Sequence, residues 1–320
     1  MPNRGEHAPE TAEGATVHKT WHVETTLPVL SPRADGDETA RTTWPLEVDA
    51  AGGTDMGRVR ARNEDQFLIA ELDRQMLIRA SSVESAAPTR WRCHRQAMLL
   101  AVADGMGGHA GGAMASQVVL DSLAGYLLKN LPWAGDLDEA ALHAADQEAR
   151  RALVYCQARL TEVADRKGLL GGQPGTTLTA AYVSWPQLLV LHVGDSRLYL
   201  LRAGRMTQLT TDHTVFSDPE HSMKRSETSP FRHVLTNAII GGPERDPFGE
   251  VRRVELEPDD RLLVCTDGLT EHVPDDQLAA IVGGAASMRG ACDQLVRAAL
   301  DAGGSDNITA VVARFVPIEP

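Results

Sequence analysis

Cysteine is scarce in this chain. Four residues in 320, at Cys93, Cys156, Cys265 and Cys292, include no Cys-x-x-Cys pair, so neither a thiol zinc cluster nor a disulfide framework is indicated. Cys156 and Cys265 fall inside apolar patterns and read as core, which makes a reduced, cytoplasmic protein the expectation. An excess of basic residues is also lacking. With 31 Lys and Arg against 44 Asp and Glu, the formal net charge is -13, which argues against a general nucleic-acid binder or a binder of anionic membranes. No run approaches the ~18 consecutive apolar residues of a membrane-spanning helix. The first residues lack a basic-then-apolar pattern, so no export signal is expected. No repeat of solenoid period is present.

What the chain does have is aspartate at the ends of apolar strands. Ala97–Ala103 is an apolar run of strand length, followed at once by Asp104-Gly-Met-Gly-Gly-His109 and then by Gly111 and Gly112. Five glycines within nine residues let the backbone turn tightly and approach whatever that carboxylate holds. The arrangement recurs at Leu262-Leu-Val-Cys-Thr-Asp267-Gly268. Two buried strands that each deliver an aspartate are costly unless a cation receives them.

Along the chain, residues 1–48 hold five of the seventeen prolines, eight threonines and no periodic apolar pattern, and are expected to form a flexible tail. The folded domain is expected over 49–318. Short paired strands are predicted at Gln66–Ala70 and Gln75–Ile78, followed by a long connection over 79–96. Five arginines against two acids between Asp73 and Gln96 make that region a basic island, either a solvated hairpin tip or a patch for acidic or phosphorylated segments. Helices are predicted at Ala113–Leu131 and Leu137–Arg166, packed antiparallel. Strands follow at Thr176–Val183, Leu188–Val193, Arg197–Leu201 and Met206–Leu209, read as one antiparallel meander. Residues 212–233 form a long polar connection, which is more often functional than idle. Strands at Val251–Glu255 and Arg261–Cys265, helices at Asp275–Val282 and Ser287–Ala302, and a strand at Ile308–Val316 complete an α+β pattern.

The acids placed for chemistry are Glu64 and Asp65 before a strand, Asp104 and Asp267 after strands, and Asp306 entering the last strand. No His or Cys accompanies them at ligand spacing, which disfavours zinc. Carboxylates with a backbone carbonyl beside glycine suit a hard octahedral ion, Mg2+ or Mn2+. Several carboxylates in one site raise each other's pKa unless cations share it. One aspartate between two ions is the arrangement that activates water for in-line displacement at phosphorus. Taken singly, an Asp-Gly pair is usually a turn.

Six motifs then occur in order. They are Arg60-x-x-x-Glu64-Asp65, Asp104-Gly-Met-Gly-Gly-His109, Gly175-Thr-Thr177, Val193-Gly-Asp-Ser-Arg197, Thr266-Asp-Gly-Leu269 and Gly304-Ser-Asp-Asn307. Together, over about residues 50–316, they resemble the bacterial form of the type 2C metal-dependent serine/threonine protein phosphatases. The resemblance implies an α-β-β-α sandwich, two antiparallel β-sheets flanked by helix pairs, with two Mn2+ or Mg2+ ions at one end. It implies that Asp104 bridges the ions, that the Gly105 carbonyl binds one, and that Asp267 and Asp306 hold the other. The resemblance also implies that Glu64 and Asp65 bind directly or through water, that Arg60 grips the phosphoryl oxygens, and that Asp195 braces the site. Arg58 and Arg62 are the other arginines within reach of that role, and Thr176 and Thr177 are read as structural. The implied reaction is hydrolysis of phosphoserine and phosphothreonine in proteins by direct attack of a metal-bridging water or hydroxide.

Three departures from the family pattern bear on this. Met106 stands where many animal members carry a histidine proposed as general acid, and His109 is not equivalent to it. Leu169-Leu-Gly-Gly-Gln-Pro174 holds no acid before the Gly-Thr-Thr motif, so a third ion is expected to be absent or bound differently. The flap over the site corresponds to 213–233, lacks the usual glycine, and carries Lys224, Arg225, Arg232 and His233, a set expected to contribute to substrate selection. The expected partners are phosphoproteins made by a Ser/Thr kinase, acted on by a monomer, with no nucleic acid or membrane involved. Two other readings stand beside this one: a pseudo-phosphatase that binds phosphopeptides, and a hydrolase of small phosphoesters. Retention of every metal aspartate speaks against the pseudo-phosphatase.

Overall fold

The structure, a computed structural model, describes residues 19–23, 46–77, 90–107, 111–130, 139–215, 217, 234–242 and 247–317. Fourteen strands and five α-helices are found among them, the third of these helices, α3 (Asp267–Thr270), being a single turn. Two antiparallel sheets carry the fold. The first contains β1 (Lys19–Val23), β2 (Leu46–Asp55), β9 (Arg197–Arg202), β10 (Arg205–Gln208), β13 (Arg261–Cys265) and β14 (Ile308–Pro317), in the order β1-β2-β14-β13-β9-β10. The second contains β3 (Gln66–Leu77), β4 (Arg90–Ala103), β7 (Leu178–Ser184), β8 (Gln187–Val193) and β12 (Glu250–Glu255), in the order β12-β8-β7-β4-β3. A small third sheet joins β11 (Ile239–Ile240), β6 (Gly175–Thr176) and β5 (Gly105–Met106).

Side-chain alternation along the strands stacks the layers. In β4, Leu99, Ala101 and Ala103 pack against helices α1 (Gly111–Asn130) and α2 (Glu139–Arg166). The intervening Met98, Leu100 and Val102 face the other sheet. In β14, Val311, Ala313 and Phe315 enter the same inter-sheet core, while Ile308, Ala310 and Val312 face α4 (Asp275–Gly284) and α5 (Met288–Asp301). Both faces of the central strands are therefore buried, which is why they read as unbroken apolar runs rather than as alternating ones. The result is the expected α-β-β-α sandwich. Helices α1 and α2 run antiparallel. Tyr126 donates to Glu148 at 2.8 Å, and the Cys156 thiol, one contact further along the pair, lies 3.7 Å from the Val119 carbonyl.

Four expectations are corrected. Gln66–Ala70 and Gln75–Ile78 do not pair with each other. Gln66–Ala70 and Gln75–Leu77 lie in one strand, β3, which pairs with β4 across an irregularity between Leu72 and Arg74, and Ile78 lies outside the described residues. The connection is accordingly shorter, because residues 90–96 belong to β4; its remainder, 78–89, lies outside the described residues. The meander is also broken, since β7 and β8 pair in one sheet whereas β9 and β10 pair in the other. Finally, Lys19–Val23, within the stretch read as a tail, pairs antiparallel with β2, and β2 itself begins at Leu46. Lys-Thr-Trp-His-Val has the β-branched and aromatic content that suits an edge strand. Residues 1–18 and 24–45 lie outside the described residues.

Candidate active site

Antiparallel pairing sets the start of each strand beside the end of its neighbour, and this gathers the acids at one end of the sandwich. Gln66 opposes Ala103, so Asp65 and Asp104 are adjacent. Ile308 opposes Asp55, and Cys265 opposes Ala310, so Asp306 and Asp267 meet at the same end of the other sheet. Asp195 lies in the three-residue link between β8 and β9, where the chain changes sheets. Five of the predicted site acids thus converge through topology alone.

The two sheets are joined here by hydrogen bonds. One oxygen of Asp65, from the five-stranded sheet, accepts from Thr266 at 2.8 Å and Thr309 at 2.7 Å, both from the six-stranded sheet. Thr266 also accepts from the Thr309 backbone N–H at 3.0 Å. The other oxygen, Asp65 Oδ1, is buried and has no hydrogen-bond partner. Asp104 is fixed through its backbone. Its N–H donates to Thr177 Oγ1 at 3.0 Å, while its carbonyl accepts from the Thr176 hydroxyl at 2.8 Å and the Thr177 N–H at 2.9 Å. The Thr177 hydroxyl is 2.9 Å from that of Ser196, so the Gly-Thr-Thr and Gly-Asp-Ser-Arg motifs act together on one peptide. Thr176 and Thr177 are thus the structural residues expected.

Glu64 is held by its neighbours. Its N–H donates to Asn307 at 2.9 Å and its carbonyl accepts from Ser116 at 2.6 Å. Asn307 spends its amide on the carbonyls of Met56 and Arg62, each at 2.9 Å, and so sews the loop before β3 to the loop before β14. The Glu64 carboxylate lies against Gly112, where a Cβ would come within 2.8 Å of it. A Cβ on Gly105 would stand 2.3 Å from the Gly112 carbonyl oxygen, so the turn after Asp104 admits only glycine there. His109 lies outside the described residues, as do 218–233 of the flap with their basic residues.

Electrostatics mark the cluster. Burial, then the charges of Asp65, Asp267, Asp195 and Asp306, hold the Asp104 carboxyl well above the usual carboxylate range. Asp65 is pushed up by burial, against the Thr309 and Thr266 hydrogen bonds, and Asp195 by burial followed by Asp267 and Asp212. Arg60 is the counter-charge facing them. Its Nη2 donates to Asp306 at 2.5 Å, and the fields of Asp306, Asp104 and Asp267 hold its guanidinium firmly protonated. Arg58 points elsewhere, donating to the Leu300 carbonyl at 2.8 Å.

Oxygen donors alone, a buried unpartnered carboxylate oxygen and like charges driven upward by one another fit hard divalent cations rather than zinc. A second group, His192, His213 and Glu250, brings ligand-type atoms within 4.8 Å of one another. Three of its four ring nitrogens are already used. His192 is 2.8 Å from the Thr179 hydroxyl and 3.1 Å from the Thr211 carbonyl, and His213 Nδ1 accepts from Gly194 N–H at 3.1 Å and from Asn237 at 3.0 Å. Burial drives His192 down to about 3, so it is neutral and Nε2 carries the proton donated to Thr211. This group pins the start of the flap to the Gly194 turn.

The family model described as "Protein phosphatase 2C" matches residues 86–309. The chain belongs to the protein phosphatase 2C family. Among protein phosphatase 2C relatives, the Mycobacterium tuberculosis serine/threonine protein phosphatase PstP is 36% identical over 281 residues, covering 87% of this chain and 46% of PstP. The chain thus spans about half the length of this relative. The serine/threonine phosphatase stp of Listeria innocua is 31% identical over 269 residues, covering 81% of this chain and 92% of stp. The crystal structure of the PstP catalytic domain in complex with two manganese ions superposes with a TM-score of 0.63 at 33% identity, over 85% of this chain and 99% of that one.

Sequence reasoning did not single out Thr309, Ser116 or Thr179. Each is a small hydroxyl on or beside an apolar strand or helix pattern. The available signal was a threonine inside an otherwise aliphatic buried strand, a position that demands a partner.

Proposed function

We propose that this chain hydrolyses phosphoserine and phosphothreonine in proteins with two divalent cations, Mn2+ or Mg2+. The observation that carries the reading is the convergence of Asp65, Asp104, Asp195, Asp267 and Asp306 at one end of the sandwich, with Asp65 Oδ1 buried and unpartnered. Asp104, the Gly105 carbonyl, Asp267 and Asp306 would hold the ions, with Glu64 and Asp65 contributing directly or through water. Bound there, the ions would supply Lewis acidity and activate a water for attack at phosphorus.

The chain's own residues do the rest. Arg60, half exposed beside the acids, offers a planar fork of donors shaped for phosphoryl oxygens. Thr176, Thr177 and Ser196 hold the Asp104 peptide, so the backbone that carries its carboxylate is in place before substrate arrives. Asp195 keeps its carboxylate near Asp267 and Asp104, and its neighbours Gly194 and Ser196 brace it through their hydrogen bonds to His213 and Thr177. No carboxylate occurs in Leu169–Pro174, which supports a site for two ions rather than three. Buried, unpaired Cys156, Cys265 and Cys292 support a reduced, cytoplasmic setting.

The test is turnover of phosphoserine, phosphothreonine and phosphotyrosine peptides beside nitrophenyl phosphate, with and without Mn2+. Mn2+-dependent release from phosphoserine and phosphothreonine peptides, exceeding that from nitrophenyl phosphate, is expected. Turnover of nitrophenyl phosphate alone would favour a small-ester hydrolase. Peptide binding without any turnover would favour the pseudo-phosphatase.

A further inference from the structure

Asp306 meets a donor on each oxygen. Oδ1 accepts from the Asn307 backbone N–H at 2.8 Å, and Oδ2 accepts from Arg60 Nη2 at 2.5 Å. The loops that carry the two residues are fastened to each other by backbone. Arg58 N–H donates to the Gly304 carbonyl at 2.7 Å, and Gly57, at φ +76°, lies so close that a Cβ would stand 2.1 Å from the Asp306 carbonyl oxygen. The backbone just before Arg60 is therefore tethered, while the Arg60 side chain is 56% exposed and held by the Asp306 contact alone among the hydrogen bonds described. The same guanidinium is thus the donor to an oxygen that a cation would need and the group proposed to take the phosphate.

We propose that Arg60 is an exchange residue. A cation at Asp306 displaces its guanidinium, and the displaced guanidinium is then available to phosphoryl oxygens, so that cation and phosphate binding reinforce each other. This rests on the two-cation reading above and adds a coupling to it. The linkage is reciprocal: whatever Arg60 takes from cation affinity by holding Asp306, a cation returns by releasing Arg60 to phosphate. Because the pair is half exposed and open to solvent screening, the effect is modest, about fivefold in affinity.

The coupling is tested with calorimetric titration of Mn2+ into the metal-stripped full chain, with no phosphate present. Arg60→Ala is expected to bind Mn2+ about fivefold more tightly than the unaltered protein. Arg60→Gln, which keeps the stem, is expected to do the same. Arg62→Ala, which removes the same charge two residues away, is the control for general electrostatics and is expected to change affinity by less than about twofold. An Arg60→Ala protein that folds, by circular dichroism, but binds Mn2+ no more tightly than the unaltered protein would overturn the exchange. So would an Arg62→Ala protein that matches Arg60→Ala. If the unaltered protein takes up Mn2+ while the variants do not differ, only the exchange falls. If it takes up none, the two-cation reading falls with it.

Discussion

Asp65 and Asp195 are carboxylates that the fold keeps where ionisation is unfavourable. Burial is the first cause for both, pushing Asp65 up to about 7 and Asp195 up to about 8 from an ordinary value of 3.8. Between that ordinary value and the raised one, the folded chain binds more protons than the unfolded chain. Stability without metal therefore falls as pH rises through this window. Cations that bind the ionised carboxylates reverse the preference. The melting midpoint of metal-stripped protein, followed by circular dichroism, is expected to drop between about pH 6.5 and about pH 8, and the drop to vanish in saturating Mn2+. A midpoint that rises with pH in the stripped protein would contradict this account of the cluster. His192 opposes this below about pH 6.5, because the fold holds it neutral down to about 3 while the unfolded imidazole still takes up a proton, so the fall is read above that pH.

At the scale of elements, the decisive feature is the link between β8 and β9. Gly194 adopts φ +115°, and a Cβ there would stand 2.5 Å from Thr177 Cγ2. The same residue exchanges backbone hydrogen bonds with His213, accepting from its N–H at 2.7 Å and donating to its ring at 3.1 Å. Gly194→Ala is expected to destabilise the protein by about 1–3 kcal/mol through backbone strain and the clash with Thr177, measurable as a lower urea midpoint, and to weaken Mn2+ uptake because Thr177 holds the Asp104 peptide. A neutral substitution would show that the crossover is not strained. This link also shows where sequence reading stopped short. The apolar runs of β4, β13 and β14 declared themselves because both of their faces are buried. The Val193-Gly-Asp-Ser-Arg197 break looks the same whether the chain turns back within a sheet or steps to another, since the distinction lies in pairing partners far away in sequence. Likewise β3 was split in two because Glu71 and Asp73 interrupt its apolar pattern near the irregularity at Leu72–Arg74. The acids of the site were legible, as each is a polar residue at the end of an apolar run. Thr309 and Ser116 were not, because their meaning depends on what crosses from the opposite layer.

Over the whole molecule, three apolar layers, two beneath helix pairs and one between sheets, hold the two sheets in a fixed relation. The site lies where that relation matters most, since Asp65 and Asp104 come from one sheet and Asp267 and Asp306 from the other. Function therefore depends on the inter-sheet core as much as on the acids. Phe315 and Leu100 in that core pack the two sheets that carry the two pairs of carboxylates, and the bridge from Asp65 to Thr266 and Thr309 fastens the open end. The central claim is that these carboxylates form one two-cation centre organised by Asp104. Calorimetric counting of Mn2+ bound to the metal-stripped chain, beside an Asp104→Asn variant, tests it most directly. Two ions per unaltered chain are expected, with at least about a 100-fold loss of affinity in the variant. Binding of a single ion, tight binding of a third, or an Asp104→Asn protein that takes up Mn2+ as the unaltered chain does would contradict it.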